Sequence, residues 1–168
     1  MTELAATPPV TFAPCRYGQA ALAPMPWVRI TSVAPLAGAQ PDLPPPGRTA
    51  ERGDSRILWM GRDLWFVLGE APDLPGITLT DQSDGWAGFR LTGQGARAVL
   101  ARVCPLDLHP SNFPDGATAR SELAHMAASI TAEADGFLIL VMRSFVGTAL
   151  DEIETAMRSV AVQHSMKG

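Results

Sequence analysis

Basic residues are scarce and scattered in this chain. The sequence holds a single lysine, Lys167, and 13 Lys and Arg residues stand against 17 Asp and Glu, for a formal net charge of −4. No window gathers several basic residues, whereas a nucleic-acid-binding protein presents a basic patch to the phosphates. The composition therefore argues against a nucleic-acid partner.

Cysteines are also few, and long hydrophobic runs are missing. Cys15 and Cys104 have no CxxC spacing and no neighbouring histidine cluster, which removes the common zinc and dithiol signatures. The first residues lack a basic start followed by an apolar run, and no later stretch approaches 18 uninterrupted apolar residues. We expect a soluble, cytoplasmic protein that does not associate with a membrane.

The surface is predicted to carry little charge. Charged residues make up 18% of the 168 residues and apolar residues 46%. A chain of this length can close one hydrophobic core without disulfides or metal. The low share of charge indicates that part of the surface is covered by another protein.

Proline dominates the N-terminal third, where ten of the 15 prolines lie within the first 46 residues. We expect one strand there, near residues 27–33, because polar and apolar residues alternate. If the proline-rich stretch 35–47 and the N-terminal arm wrap a partner, they should be mobile in the isolated chain and ordered in the complex. The predicted domains are an extended arm over 1–50, an α+β domain over 51–162 and a tail over 163–168.

Two hairpins are predicted after the arm. The first joins two apolar runs across Gly61-Arg62-Asp63. The second turns at Asp135-Gly136, because Asp-Gly accepts the positive φ angles of a tight primed turn. The run 137–142 is apolar at every position, which is typical of a central strand covered on both faces.

Two amphipathic helices are predicted. The first spans 95–104, with Thr92 as its cap and Pro105 as its stop. The second spans 148–162, with Thr148 as its cap. Their predicted buried positions are Ala96, Val99, Leu100 and Val103 in the first, and Leu150, Ile153, Met157 and Val160 in the second. With further strands at 77–81 and 88–92, the fold class is α+β, a mostly antiparallel sheet with both helices on one face.

A glycine pair, Gly93 and Gly95, stands at the start of the first helix and raises the question of a phosphate site. A dinucleotide fingerprint needs a third glycine three residues later, and the continuation Ala96-Arg97-Ala98 supplies none. The P-loop pattern fails as well, since no Gly-Lys-Ser/Thr follows. We interpret the glycines as residues that let the chain enter the helix.

The histidines and Cys104 offer no recognisable catalytic pairing. His109 is predicted in a turn, His125 in a strand and His164 near a frayed terminus, and none is spaced to pair with a nucleophile or carboxylate. Cys104 ends a helix, where the negative dipole raises a thiol pKa, and it is predicted to be a small buried apolar group.

The remaining candidates are also more typical of structure than of chemistry. Asp81 and Asp84 lie in a run of Asp, Ser and Gly, which favours a turn over a catalytic pair. Core packing is the favoured role of the four tryptophans, with stacking platforms or interface anchors as the alternatives: Trp27, Trp59, Trp65 and Trp86. The sequence thus predicts no catalytic, cofactor-binding or metal-binding residue in this chain.

Three stretches carry a family resemblance: "ILWMGRDLWFVLGE", "DQSDGWAGFRLTGQGARAVLARVCPLDLHPSNFPDGATARSELAHMAASI" and "DGFLILVMRSFVGTALDEI". Together they resemble the gamma subunit of heterotetrameric sarcosine oxidase, over about residues 56–153. That subunit is related to the folate-binding fold of the glycine-cleavage aminomethyltransferase. The stretches are patterns of fold more than of active site.

The resemblance implies a cytoplasmic enzyme that oxidises the N-methyl group of sarcosine, giving glycine and hydrogen peroxide and passing the one-carbon unit to tetrahydrofolate. It implies alpha, beta and delta subunits as partners, and it places FAD, FMN, NAD, tetrahydrofolate and zinc in those partners, with no cofactor in this chain. The implied role is a non-catalytic gamma subunit that supports assembly. The alternative is a free-standing folate-binding or aminomethyltransferase-like protein.

Overall fold

The computed structural model describes residues 10–166, which form two antiparallel sheets and two helices. The strands are β1 (Cys15–Tyr17), β2 (Ala20–Pro24), β3 (Ile30–Pro35), β4 (Thr49–Arg52), β5 (Ser55–Gly61), β6 (Leu64–Leu68), β7 (Ile77–Asp81), β8 (Trp86–Thr92), β9 (Thr118–Leu123), β10 (Met126–Glu133) and β11 (Gly136–Met142). The helices are α1 (Ala96–Leu100) and α2 (Val146–Ser165). The sheet orders are β1-β2-β8-β11-β10-β9 and β4-β5-β6-β3-β7.

The two sheets stack face to face on a shared apolar core. Leu58 and Phe66 of the five-stranded sheet pack with Trp86 and Leu138 of the six-stranded sheet. The rings of Phe66 and Trp86 meet edge to face, with centroids 5.2 Å apart. This arrangement corrects the prediction of a single sheet, because every apolar strand needs a covered face and here a second sheet supplies it.

Strand β11 is central and covered on both faces, as its sequence predicted. Its odd-numbered residues Phe137, Ile139 and Val141 are buried in the core that contains both helices. Its even-numbered residues Leu138 and Leu140 are buried in the core between the sheets. Successive side chains of a strand point to opposite faces, so an unbroken apolar run fits this position alone.

The N-terminal third is part of both sheets. Strand β2 pairs with β8, and β3 pairs with β6 and β7. The prediction of one strand in this region was wrong: three lie between residues 15 and 35, and the expected strand at 27–33 is observed at 30–35. Helix α2 also continues to Ser165, so 163–165 are helical, while predicted arm residues 1–9 and tail residues 167 and 168 lie outside the described residues.

The proline-rich stretch covers the outer face of the five-stranded sheet. Leu43 packs on Val33 and Val67, and the indole Nε1 of Trp65 donates a 2.9 Å hydrogen bond to the carbonyl oxygen of Pro44. Mobility of this stretch in the isolated chain was predicted for the case that it wraps a partner. The structure instead folds it onto its own sheet, where it buries apolar surface that would otherwise face water.

Both predicted hairpins form, but the turn of the second differs from its prediction. Gly136 pairs directly with Glu133, so the loop is Ala134-Asp135, and Asp135 does not have a positive φ.

The starts of both helices also differ from their predictions. Gly95 and Phe145 precede α1 and α2 without a side-chain cap, because Thr92 is engaged in β8 and Thr148 lies inside α2. Helix α1 ends at Leu100 because the chain then tightens into successive turns.

Ser129 gives a first prediction, because its buried hydroxyl has no hydrogen-bond partner among the described residues. Burying an unsatisfied hydroxyl costs free energy, so Ser129→Ala should leave the free energy of unfolding unchanged or raise it by up to about 1 kcal/mol. Urea unfolding measures the difference.

Thr131 is the matched control for Ser129 on the same strand face. Its hydroxyl shares a 2.8 Å hydrogen bond with that of Thr118, and both side chains are buried. Thr131→Val removes one partner of this bond and should lower the free energy of unfolding by about 1–2 kcal/mol. A loss of that size for Ser129→Ala would show that Ser129 is hydrogen-bonded in solution.

Candidate functional site

The glycine pair is explained by the close approach of two chain segments. A Cβ on Gly93 would lie 2.4 Å from the carbonyl oxygen of Gln19, and the φ of Gly93 is +92°. The backbone N–H of Gly95 donates a 3.1 Å hydrogen bond to the same oxygen. The pair therefore lets the β1–β2 turn dock on the start of α1, and the five-residue α1 offers no phosphate site.

A cleft of about 590 Å³ opens beside the end of α1. Its ionisable side chains are Arg102, Cys104, Glu122, His125 and Glu152. The Arg102 guanidinium is directed to helix α2, where it donates hydrogen bonds of 3.1 Å to Ser159 Oγ and 2.6 Å to Gln163 Oε1. The cleft thus holds charged groups that are mostly engaged elsewhere or open to solvent.

Burial decides the state of the Cys104 thiol in this cleft. Burial raises the pKa of Cys104, and hydrogen bonding with the Leu106 backbone and Ser121 offsets part of that rise. Because a thiolate is the nucleophilic form, the raised pKa keeps this thiol protonated and unreactive at neutral pH. The expectation that Cys104 is a small buried group is confirmed. The main cause of its raised pKa is burial and not a helix dipole, because α1 already ends at Leu100.

His125 lies in a tight turn, which corrects its predicted place in a strand. Met126 pairs directly with Leu123, so Ala124 and His125 form a two-residue loop with φ angles of +46° and +69°. The imidazole is 98% exposed, and its Nδ1 lies 3.8 Å from a carboxylate oxygen of Glu122. An exposed pair at this distance contributes little, so no base is positioned here.

The β9–β10 turn gives a second prediction, because residues with a Cβ disfavour positive φ angles. Asn-Gly is the preferred pair for such a turn, so Ala124→Asn with His125→Gly should raise the free energy of unfolding by about 1 kcal/mol. Thermal or urea unfolding tests this. The control His125→Ala retains the unfavourable angle and should give no gain; equal stabilisation by both variants would locate the effect in the lost imidazole.

The other predicted candidates occupy turns and a helix end. His109 lies in a turn, where its Nδ1 is 2.7 Å from Ser111 Oγ, and the His164 Nδ1 lies 3.0 Å from the carbonyl oxygen of Val160 in α2. Hydrogen bonds from Ser83 lower the pKa of the Asp81 carboxyl, which fits the predicted turn. The His109–Ser111 contact joins residues two positions apart in an exposed turn, and Ser111 Oγ also donates a 3.3 Å hydrogen bond to Asn112 Oδ1, so it is a local turn contact and not an enclosed catalytic pair.

The tryptophans divide between core and surface. Trp86 is buried between the sheets, as predicted, while Trp59 and Trp65 are half-buried and face each other across β5 and β6. Trp27 is 56% exposed, so core packing was the wrong expectation for it. The large apolar residues exposed in the described part of the chain are Trp27, Leu36, Leu79, Met142, Phe145, Val162 and Met166.

An ionic network joins the two sheets at one end. Glu133 of β10 accepts a 2.5 Å hydrogen bond from Arg56 of β5 and a 2.9 Å bond from Arg90 of β8. Arg56 also binds Glu51. Burial lowers the pKa of Arg56, but its hydrogen bonds with the two carboxylates outweigh this and raise the pKa overall. The four side chains thus satisfy one another's hydrogen bonding at the junction of the two sheets.

Within residues 10–166, no three His, Cys, Asp or Glu side chains are grouped as the ligands of a metal ion would be. Over the same range, neither helix has the length and apolar character that crossing a bilayer requires.

Comparison with known proteins gives a fold. No protein-family model and no curated protein sequence matches this chain. Among solved structures, it is similar to a chain of heterotetrameric sarcosine oxidase from Corynebacterium sp. U-96, in complex with pyrrole 2-carboxylate. The match has a TM-score of 0.75 and 19% identity, and it covers 84% of this chain and 85% of that one. The described chain therefore has the mixed α+β, antiparallel fold of one chain of a heterotetrameric sarcosine oxidase.

Proposed function

We propose that this chain is the gamma-type, non-catalytic subunit of a heterotetrameric sarcosine oxidase. The observation that carries the proposal is the shared fold, which extends over 84% of this chain and 85% of the matched chain. Because these two shares are nearly equal, the two chains have similar lengths. A match over most of both chains supports a corresponding subunit.

The architecture supports a structural role within such a complex. Flavin and dinucleotide sites of the Rossmann type need a parallel sheet with helices on both faces, whereas the sheets described here are antiparallel. The cleft beside α1 holds a protonated thiol and an exposed imidazole without a positioned base. The family resemblance of the sequence points to the same subunit.

In the proposed complex, the partner subunits carry out the redox and one-carbon steps. The alpha, beta and delta subunits would hold FAD, FMN, NAD, tetrahydrofolate and zinc, and this chain would hold none of them. Its part is to present a rigid, weakly charged body in the cytoplasm on which the larger subunits assemble. Its stacked sheets and the helix layer are suited to this, because packed interiors resist deformation.

Co-purification tests the proposal. Affinity-tagged full-length protein, expressed in its native cells grown on sarcosine or glycine betaine, should bring down larger flavoprotein chains that oxidise sarcosine. Omitting the chain from a co-expressed set of subunits should reduce recovery of the assembled oxidase. Isolation of a fully assembled, active oxidase that lacks this chain would overturn the proposed role.

Ligand binding separates the proposal from the free-standing folate protein. Calorimetric titration of the isolated chain with tetrahydrofolate should give no binding in the micromolar range. Micromolar binding at one site per chain would favour the folate-binding alternative instead.

A further inference from the structure

Strand β7 forms an exposed edge of the five-stranded sheet. It pairs with β3 on one side and ends the sheet order on the other. Ile77 is half-buried and the next four residues are exposed, with Leu79 at 49%. An edge strand of this kind carries an unpaired row of backbone N–H and C=O groups.

The register shows which backbone groups of β7 have no strand partner among residues 10–166. At its two ends, Leu36 N–H bonds to Gly76 C=O and Gln82 N–H bonds to Ile30 C=O. Hydrogen-bonded positions alternate along an antiparallel pair, so even-numbered residues point to β3. The N–H and C=O groups of Ile77, Leu79 and Asp81 therefore point away from the sheet, ready to bind a further strand.

The features that usually block such an edge are missing here. Strand β7 contains no proline and no lysine, and its pairing with β3 runs through five positions without a bulge. Its single charge, Asp81, stands at the end. The half-exposed Leu79 adds an apolar anchor on the same strand. Strand addition to an edge combines a backbone ladder with pockets or anchors at alternate side chains.

The charged residues around β7 indicate what kind of strand would bind at this edge. Between Arg62 and Arg90 the sequence contains no basic residue, and the segment around β7 carries Glu70, Asp73, Asp81 and Asp84. Arg29 approaches Asp81 at 3.8 Å and offsets part of this charge. A second copy of the same edge would bring like charges together, whereas a strand with Arg or Lys would be attracted.

We propose that β7 is a docking edge for an extended, basic segment of another polypeptide, which adds as a sixth strand to the five-stranded sheet. The inference deepens the proposed function and rests on it in one respect, that the segment would belong to another subunit. The outward N–H and C=O groups of β7 would form the backbone hydrogen bonds with the added strand, and Leu79 would be its apolar contact. The acidic segment 70–84 would favour a basic strand over an acidic one.

Peptide titration of the full-length chain tests the edge directly. The probe is a heptapeptide of alternating Val and Thr with Arg at both ends, followed by amide NMR shifts. Shifts should concentrate at Ile77, Leu79 and Asp81, and a peptide with Glu in place of Arg should bind at least about tenfold more weakly. Equal binding of the two peptides, or shifts that avoid β7, would overturn the proposal.

Variants of the protein and of the peptide test whether binding depends on the backbone hydrogen bonds of β7. Leu79→Pro removes an outward N–H that β3 does not use, so the protein should fold and bind the basic peptide at least about tenfold more weakly. N-methylation of alternate residues of the peptide blocks the same ladder without altering the protein and should weaken binding similarly. Unchanged binding in both experiments, or a homodimer that Leu79→Pro dissociates, would contradict the assignment of this edge to another polypeptide.

The two proposals can fail separately. Leu79→Lys replaces the apolar contact of β7 with a positive charge that repels a basic strand. If tagged wild-type protein and this variant recover the same sarcosine-oxidising flavoprotein in equal yield, the subunit function stands and the β7 edge is excluded as its docking site. If the basic peptide binds β7 but no such flavoprotein is recovered, the edge stands and the subunit function fails.

Discussion

Glu133→Gln is expected to lower the free energy of unfolding by about 2–3 kcal/mol, because the change leaves two arginines without their shared carboxylate. Glu133 is only 16% exposed, and its two oxygens bind Arg56 from one sheet and Arg90 from the other. Glutamine keeps the shape but offers one acceptor and no charge. Urea unfolding of the full-length chain measures the loss.

Glu51→Gln provides the matched control. Glu51 binds the same Arg56, but its side chain is 61% exposed. Exposed ion pairs contribute about 0–1 kcal/mol, so this variant should differ little from wild type. Equal losses for the two variants would mean that net charge, and not the inter-sheet network, is responsible.

Elements with strong local signals could be predicted from sequence. The run 137–142 is apolar throughout and is the central strand β11, and both predicted hairpins form between the expected apolar runs. The buried stripe of α2 was also largely correct, with Ile153, Met157 and Val160 buried. In each case the deciding interactions lie within a few residues of one another.

Long-range pairing could not be predicted in the same way. Strand β2 joins β8 across more than 60 residues, and β3 lies between β6 and β7, yet the proline-rich composition around them favoured an irregular arm. The division into two sheets depends on which distant strands pair, and alternation within one strand carries no information on that choice. The folded position of Pro44 likewise depends on Trp65, 21 residues away.

The candidate docking edge shows the same limit. The absence of basic residues between Arg62 and Arg90 is visible in the sequence, and a strand at 77–81 was predicted. That this strand ends a sheet, with Leu79 exposed, follows only from the topology. The relation to the folate-binding fold stays a prediction, while the fold of a sarcosine oxidase chain is confirmed.

Gly136→Ala is expected to lower the free energy of unfolding by at least about 3 kcal/mol, because the added Cβ would collide with backbone. It would lie 2.1 Å from the carbonyl oxygen of Leu91 and 2.8 Å from the Cα of Thr92, in the neighbouring strand β8. Relief requires moving β8 away from β11 at the centre of the six-stranded sheet. Gly136 also has a φ of +155°, which disfavours alanine independently.

Gly53→Ala is the control that measures the effect of a positive φ angle on stability without a steric collision. Gly53 also has a positive φ, +59°, but no atom lies within 4 Å of a Cβ built on it. This variant should therefore lose only the about 1 kcal/mol that alanine incurs at such an angle. If urea unfolding gives Gly136→Ala a loss no larger than that of Gly53→Ala, then β8 and β11 do not approach as closely at this point as the structure describes, and the register of the central pair must differ.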